Sequence, residues 1–212
     1  MSITALALEA EDAPRRRILE AAERAFARHG FRGATMQIVA AEARMSAGNL
    51  YRYFSSKEAL VSGLAERDQA ALAEDFATLA ASADPLAAMV PLLRKHLVEA
   101  PRECSQLALE IWAEAGRNPD VARICRAIED DVQARLAALV EAPCRAAGIA
   151  PDFAVRVMLT VTAGLFKRRA TDPRFDGEAE VALALGVYHA LFAGAVRPRA
   201  APAPAPAPES MA

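Results

Sequence analysis

Residues 35–57 restrict the possible folds more than any other stretch of the chain. Two short runs with apolar residues at helical spacing flank three residues, Arg44-Met45-Ser46. Thr35 and Ser46 each stand just ahead of a run, where a hydroxyl accepts from a backbone N–H of the first turn. So short a connection makes two helices meet at a steep angle, the geometry of a helix-turn-helix. The first helix, with Ile38 and Val39 inward, ends near Ala43, and the second runs from Ala47 to Phe54. Leu50 and Phe54 are four apart and turn to the core. A helix that enters a major groove about 12 Å wide needs small or hydrogen-bonding residues at its leading end. Ala47, Gly48 and Asn49 meet that demand. Gly48 lets the backbone approach base edges, Asn49 pairs with adenine, and Arg52, one turn on, reaches guanine or a phosphate. Tyr51 and Tyr53 offer hydroxyls to phosphates on either side, and Lys57, opening the next helix, adds a cation to a phosphate clamp.

Charge points the same way. Residues 14–60 carry nine basic and four acidic side chains, a balance of +5. Residues 61–212 carry 16 and 20, or −4, and residues 1–13 supply −3, so the net charge of −2 conceals a basic segment on an acidic body. Such an asymmetry suits an anionic partner for the first segment only.

Helical signals continue in both directions. Ile18, Ala21, Ala22, Ala25 and Phe26 form one stripe between Pro14, suited to a first turn, and Gly30, suited to a stop. Ser55 or Ser56 caps a fourth helix that runs to about Leu79, with Leu60, Leu64, Leu72 and Phe76 apolar. Five more helices follow: from Asp84-Pro85 through Leu97, from Glu103 to Ala115, from Asn118-Pro119 to Ala147, from Pro151 to Ala170, and from Gly177 to Phe192. No run alternates apolar and polar residues between hairpin turns. The expected fold class is therefore all-α with nine helices. The expected layout is a flexible N-terminal arm at 1–13, a helix-turn-helix domain at 14–60, a helical body at 61–195 and a disordered Ala/Pro tail at 196–212.

Several function classes are set aside. No apolar run approaches the roughly 18–20 residues of a membrane helix. The acidic N-terminus lacks the basic flank of a secretory signal. A cytoplasmic location and no membrane partner are expected. Cys104, Cys125 and Cys144 are odd in number and far apart, which fits neither a disulfide framework nor a zinc site, so no metal is expected. There is no nucleophile elbow, phosphate loop or HExxH, and His29, His96 and His189 are scattered. Neither an enzyme nor a cofactor is expected.

The pattern Thr35-x-x-Ile38-x-x-x-x-Ala43-x-x-Ser46-x-Gly48-x-Leu50-Tyr51-x-Tyr53-Phe54-x-x-Lys57-Glu58-x-Leu60 resembles the DNA-binding signature of TetR-family transcriptional repressors. Ile18-Leu19-x-Ala21-Ala22-x-x-x-Phe26-x-x-x-Gly30-Phe31 is similar to that family's first helix and its exit. One departure is Arg44, where the family usually has glycine. A non-glycine residue at positive φ costs about 1 kcal/mol. Either the turn is built differently, or the strain is tolerated, with Arg44 gaining a phosphate contact or standing as a neutral surface substitution.

The resemblance implies a ligand-responsive repressor that binds a palindromic operator in double-stranded DNA as a homodimer. It further implies release by a small hydrophobic or aromatic inducer, with control of a multidrug efflux operon as the first reading. The alternatives are a regulator of lipid or acyl-CoA metabolism and a DNA-binding regulator without small-molecule input. The implied pocket is lined from four successive helices. Met89, Leu93 and His96 come first, then Leu107, Ile111 and Trp112, then Cys125 and Ile128, and last Met158, Thr162 and Phe166. Trp112 beside Glu110 and Glu114 suits a cationic or flat aromatic ligand; the alternative places both glutamates in solvent. The last helix is apolar on two sides, with Leu183, Val187 and Leu191 on one and Val181, Leu185, Tyr188 and Phe192 on the other. Val157, Val161 and Gly164 line the helix before it. Those faces point to self-association.

Overall fold

The computed structural model describes residues 3–198, and for residues 3–12 and Pro85 the backbone alone. Among the described residues there are nine α-helices and no strand. They are α1 (Ile3–Gly33), α2 (Met36–Glu42), α3 (Ala47–Tyr53), α4 (Lys57–Ala80), α5 (Pro85–Arg94), α6 (Arg102–Ala115), α7 (Pro119–Ala147), α8 (Pro151–Thr171) and α9 (Gly177–Phe192). No single helix is long and apolar enough to cross a membrane among the described residues.

Side chains set most of the boundaries. The Asp84 carboxylate accepts from the N–H groups of Leu86 and Ala87, Asn118 Oδ1 from Asp120 and Val121, and Asp176 from Glu178 and Ala179. Each satisfies donors that an α-helix leaves unpaired at its start. Gly148, at φ 64°, closes α7 in the left-handed conformation that glycine adopts without steric cost.

Three boundaries differ from expectation. The helical backbone of α1 begins at Ile3 and runs through Pro14. The Ala-, Leu- and Glu-rich residues ahead of Pro14 are strong helix formers, and proline keeps a helical φ although it costs a hydrogen bond and crowds the carbonyl four residues before it. The helix breaks at Gly30 (φ 68°, ψ 164°), and one further turn reaches Gly33. The fifth helix does not continue to Leu97. It gives way at Lys95–Glu99 to a π-turn closed by Ala100 N on Lys95 O at 2.9 Å. At the other end, Val196 packs on the body and Arg197 donates to the carbonyls of Gly148 and Ala147. The rest of the expected disordered tail, residues 199–212, lies outside the described residues.

Two cores stack along α4. The first joins Ile18, Phe26, Val39, Leu50, Phe54, Leu60 and Leu64 to Leu107 and Val121 of the body. The second gathers Phe76, Leu79, Met89, Leu97, Val140, Met158, Tyr188 and Leu191. Helix α4 thus belongs to both. The first core fixes α2 and α3 as one rigid unit and decides which of their side chains face outward.

Candidate nucleic-acid interface

The turn between α2 and α3 closes on Arg44 N to Ala41 O and Met45 N to Ala40 O, both at 3.0 Å. Arg44 stands at φ 55°. The turn is therefore not rebuilt to suit arginine, and the side chain bears the strain of about 1 kcal/mol. Thr35 Oγ1 accepts from Ile38 N at 3.3 Å, Ser46 Oγ from Asn49 N at 3.2 Å and Ser56 Oγ from Ala59 N at 3.2 Å. A hydroxyl that accepts in this way still has its own proton to give.

Helix α3 is sharply two-sided. Leu50 is 0% and Phe54 2% exposed, while Tyr51 is 48% and Tyr53 39% exposed. Gly48 and Arg52 share the exposed side, with Ala47 and Asn49 half-buried at its edge. A Cβ built on Gly48 meets nothing within 4 Å. The missing side chain at Gly48 therefore serves no packing inside the protein.

The basic charge is distributed unevenly. Glu42 takes up Arg28 at 2.5 Å and Arg24 at 3.6 Å. Arg15 pairs with Glu66 at 3.0 Å and lies 4.7 Å from the Phe54 ring centre. Arg44 and Arg52 have no carboxylate partner among the described residues. Lys57 departs from expectation. Its Nζ donates to Phe31 O at 2.8 Å and Arg32 O at 3.4 Å, 4.6 Å from the Phe31 ring centre. The break at Gly30 leaves carbonyls at the end of α1 without helical partners, and the ammonium satisfies them.

Sequence reasoning missed the ties that hold this unit to the body. Glu110 Oε2 accepts from Phe31 N at 3.4 Å, and Glu114 pairs with Arg32 at 3.1 Å and Arg117 at 3.3 Å. Asn118 Nδ2 donates to Glu58 Oε1 at 3.0 Å. The hydrogen bond from Arg32 is the main reason the Glu114 carboxyl lies below the usual carboxylate range. A backbone hydrogen bond at the start of α4 does the same for Glu58. Glu110 and Glu114 are thus committed to the end of α1 and do not form a ligand clamp around Trp112.

Seven of the eleven expected pocket residues are divided between the two cores. Leu107, Ile111 and Cys125 pack on the first core, whereas Met89, Leu93, Met158 and Phe166 belong to the second. Apolar spacing marks an inward face but does not say which of two cores receives it. Trp112 is 43% exposed and stands edge-on to Phe166, with ring centres 6.3 Å apart. Phe166 lies 6.3 Å from His96 in turn. His96 Nε2 is buried without a hydrogen-bond partner. Burial pushes the His96 pKa down, Lys95 and Arg169 add to that, and Asp75 and Asp68 oppose it. Thr162 spends its hydroxyl on Tyr188 Oη at 3.0 Å, and Ile128 is half-buried on α7. A cleft of about 520 Å³ opens elsewhere, between the π-turn, the start of α6, the end of α8 and the start of α9.

Comparison with known proteins bears on both halves. A family model described as bacterial regulatory proteins of the tetR family matches residues 18–64, and one described as the C-terminal part of BetI-type transcriptional repressors matches residues 83–193. The chain is 33% identical over 117 residues to the HTH-type transcriptional regulator UidR of Escherichia coli (strain K12), covering 53% of this chain and 57% of that protein. It is 43% identical over 60 residues to the HTH-type transcriptional repressor AcnR of Corynebacterium diphtheriae, covering 28% and 32%. The match thus spans little more than half the length of the first of these curated relatives. The solved structure of Salmonella enterica GusR is similar at a TM-score of 0.70 and 26% identity, over 84% of this chain and 95% of that one.

Proposed function

The chain belongs to the TetR family of bacterial regulatory proteins, and from that premise we propose that it is a dimeric transcriptional repressor that binds a palindromic operator and is released by a small molecule. The observation that carries the reading is the outward side of α3. Its packing side is sealed in the first core, while Tyr51, Arg52 and Tyr53 stand in solvent with Gly48 leaving a gap at the leading end. In this assignment Asn49 reads a base edge and Arg52 a guanine or phosphate. Thr35, Arg44, Ser46, Tyr51 and Tyr53 hold phosphates, and Ala47 and Gly48 allow close approach. Lys57 is reassigned from a phosphate ligand to a brace between α4 and the end of α1. The head comprises residues 14–60 and the body residues 61–195.

The ligand reading rests on the run of rings from Trp112 at the surface through Phe166 to the unpartnered His96. That run suits a hydrophobic or aromatic inducer with a hydrogen-bonding group. Because Glu110, Glu114 and Asn118 grip the head from α6 and the start of α7, movement of those elements shifts the head.

Titration of labelled duplex DNA at several salt concentrations tests the interface. Each arginine that neutralises a phosphate contributes roughly 1 to the slope of log affinity against log salt. Arg44→Ala should lower the slope by about that amount. An unchanged slope would remove Arg44 from the interface.

A further inference from the structure

We propose that the cleft of about 520 Å³ between the π-turn and the start of α9 binds a small organic anion, a carboxylate on a short apolar or aromatic body, gripped by Arg102 and Arg169. The site lies away from the DNA-binding face, and none of the eleven expected pocket residues lines it, although His96 of the ring run belongs to the same π-turn.

Arg169 is only 6% exposed. Its Nη1 donates to Pro101 O at 3.2 Å and Ser105 Oγ at 3.1 Å, and its Nη2 donates to Ala100 O. Arg102 donates from Nη2 to Ala170 O at 3.2 Å, and its Nε is buried with no partner. Every one of these acceptors is uncharged. Asp176 and Glu178 also line the cleft, but they and the neighbouring Glu180 are committed to other partners. Asp176 caps α9 by accepting from Glu178 N and Ala179 N, Glu178 pairs with Arg94, and Glu180 pairs with Arg168.

Two guanidiniums therefore line one cleft, and neither is paired with a carboxylate among the described residues. A cation withdrawn from water is costly unless it is paired, and the planar fork of arginine matches a carboxylate. The walls add apolar area from Leu97, Val98 and Phe175. Together these features select an anionic head on an apolar body over a neutral or cationic ligand.

The cleft is also tightly built. A Cβ at Gly177 would lie 2.6 Å from Leu97 O, so the start of α9 is pressed against the π-turn. Such turns are rare and frequently lie at functional sites. Lys95, the first residue of this one, pairs with Asp75 of α4 at 2.6 Å. Occupancy of the cleft is thereby linked to the helix that carries the head.

Calorimetric and thermal-shift titrations of the full chain test this, with benzoate and octanoate as probes and benzyl alcohol and benzylamine as matched controls. Saturable binding of either anion is expected, with neither control binding. Arg102→Gln should weaken the anion about tenfold or more. Val98→Trp, which fills the cleft and leaves both arginines in place, should abolish binding. Melting curves and operator titrations of the same variants establish that they are folded and bind DNA, which separates failure here from failure of the DNA-binding reading. The proposal is overturned if neither anion binds up to about 10 mM, beyond the millimolar range of weak specific ligands. It is equally overturned if benzyl alcohol binds as well as benzoate, or if the folded variants bind like the parent chain.

Discussion

Gly48 separates packing from recognition in a single residue. A methyl group there meets no atom of the protein, and glycine inside a helix is less favourable than alanine by roughly 0.5–1 kcal/mol. Gly48→Ala should therefore raise the melting temperature slightly while weakening DNA binding at least about tenfold through a clash with the groove. Parallel melting and DNA titrations read both, and DNA binding that survives the substitution would place the helix outside the groove. Arg44 sets up the same trade. Arg44→Gly should relieve about 1 kcal/mol of left-handed strain and at the same time remove a cation from the interface. His96 supplies a pH signature. Burial lowers its pKa below the ordinary 6.5, so the folded chain favours the neutral ring. The unfolded chain then takes up the proton first. Stability is level above that ordinary value and falls as pH drops through it toward the lowered folded value, by at most about 1.4 kcal/mol per pH unit. His96→Asn should flatten that part of the melting profile. Glu58 and Glu114 act in a separate, more acidic window, because their lowered values remove stability only below the ordinary carboxylate pKa of 4.5.

At the level of elements, Gly63 decides how closely α4 packs, since a Cβ there would come within 2.8 Å of Phe54 Cε1 and 2.9 Å of Leu19 Cδ2. The residue lets α4 close on α1 and on the end of α3. Gly63→Ala should destabilise the fold by roughly 1–3 kcal/mol, as overpacking does, and a neutral melting temperature would contradict that packing role. The elements legible in the sequence are those whose ends are set by a side chain a few residues away. Thr35, Ser46 and Asn118 cap where expected, and Asp84 caps the helix it was expected to open. The start of α1 was not legible, because Pro14 suits a first turn as well as an interior position. The π-turn was not either, since the apolar spacing of Leu93 and Leu97 fits an uninterrupted α-helix. In the site, the outward face of α3 follows from its period. The partners of Lys57, Glu110 and Glu114 are set by long-range packing and carry no local signal. Arg169 had one, because it lies four residues after the buried Leu165 and therefore on the same inward stripe.

Across the whole molecule, apolar surface left uncovered among the described residues includes a face of the last two helices. Leu183 is 53% exposed, and a Cβ at Gly164 or Gly186 meets nothing within 4 Å. Another helix can approach closely there, which supports a two-fold assembly through α8 and α9. Leu183→Glu should shift the chain toward monomer in sedimentation velocity and make melting depend more on concentration. An unchanged dimer would move the interface elsewhere. In the proposed dimer the two α3 helices must lie about 34–36 Å apart, or a multiple of that, to meet successive major grooves on one face of the duplex. The most direct measurement is therefore selection of the full chain against a pool of randomised DNA duplexes, run in parallel with Asn49→Ala. Enrichment of one inverted repeat with half-sites about one helical turn or a multiple apart is expected, with relaxed choice at one symmetric position for the variant. Failure to enrich any inverted repeat, or an identical preference from both proteins, would contradict operator binding by this dimer.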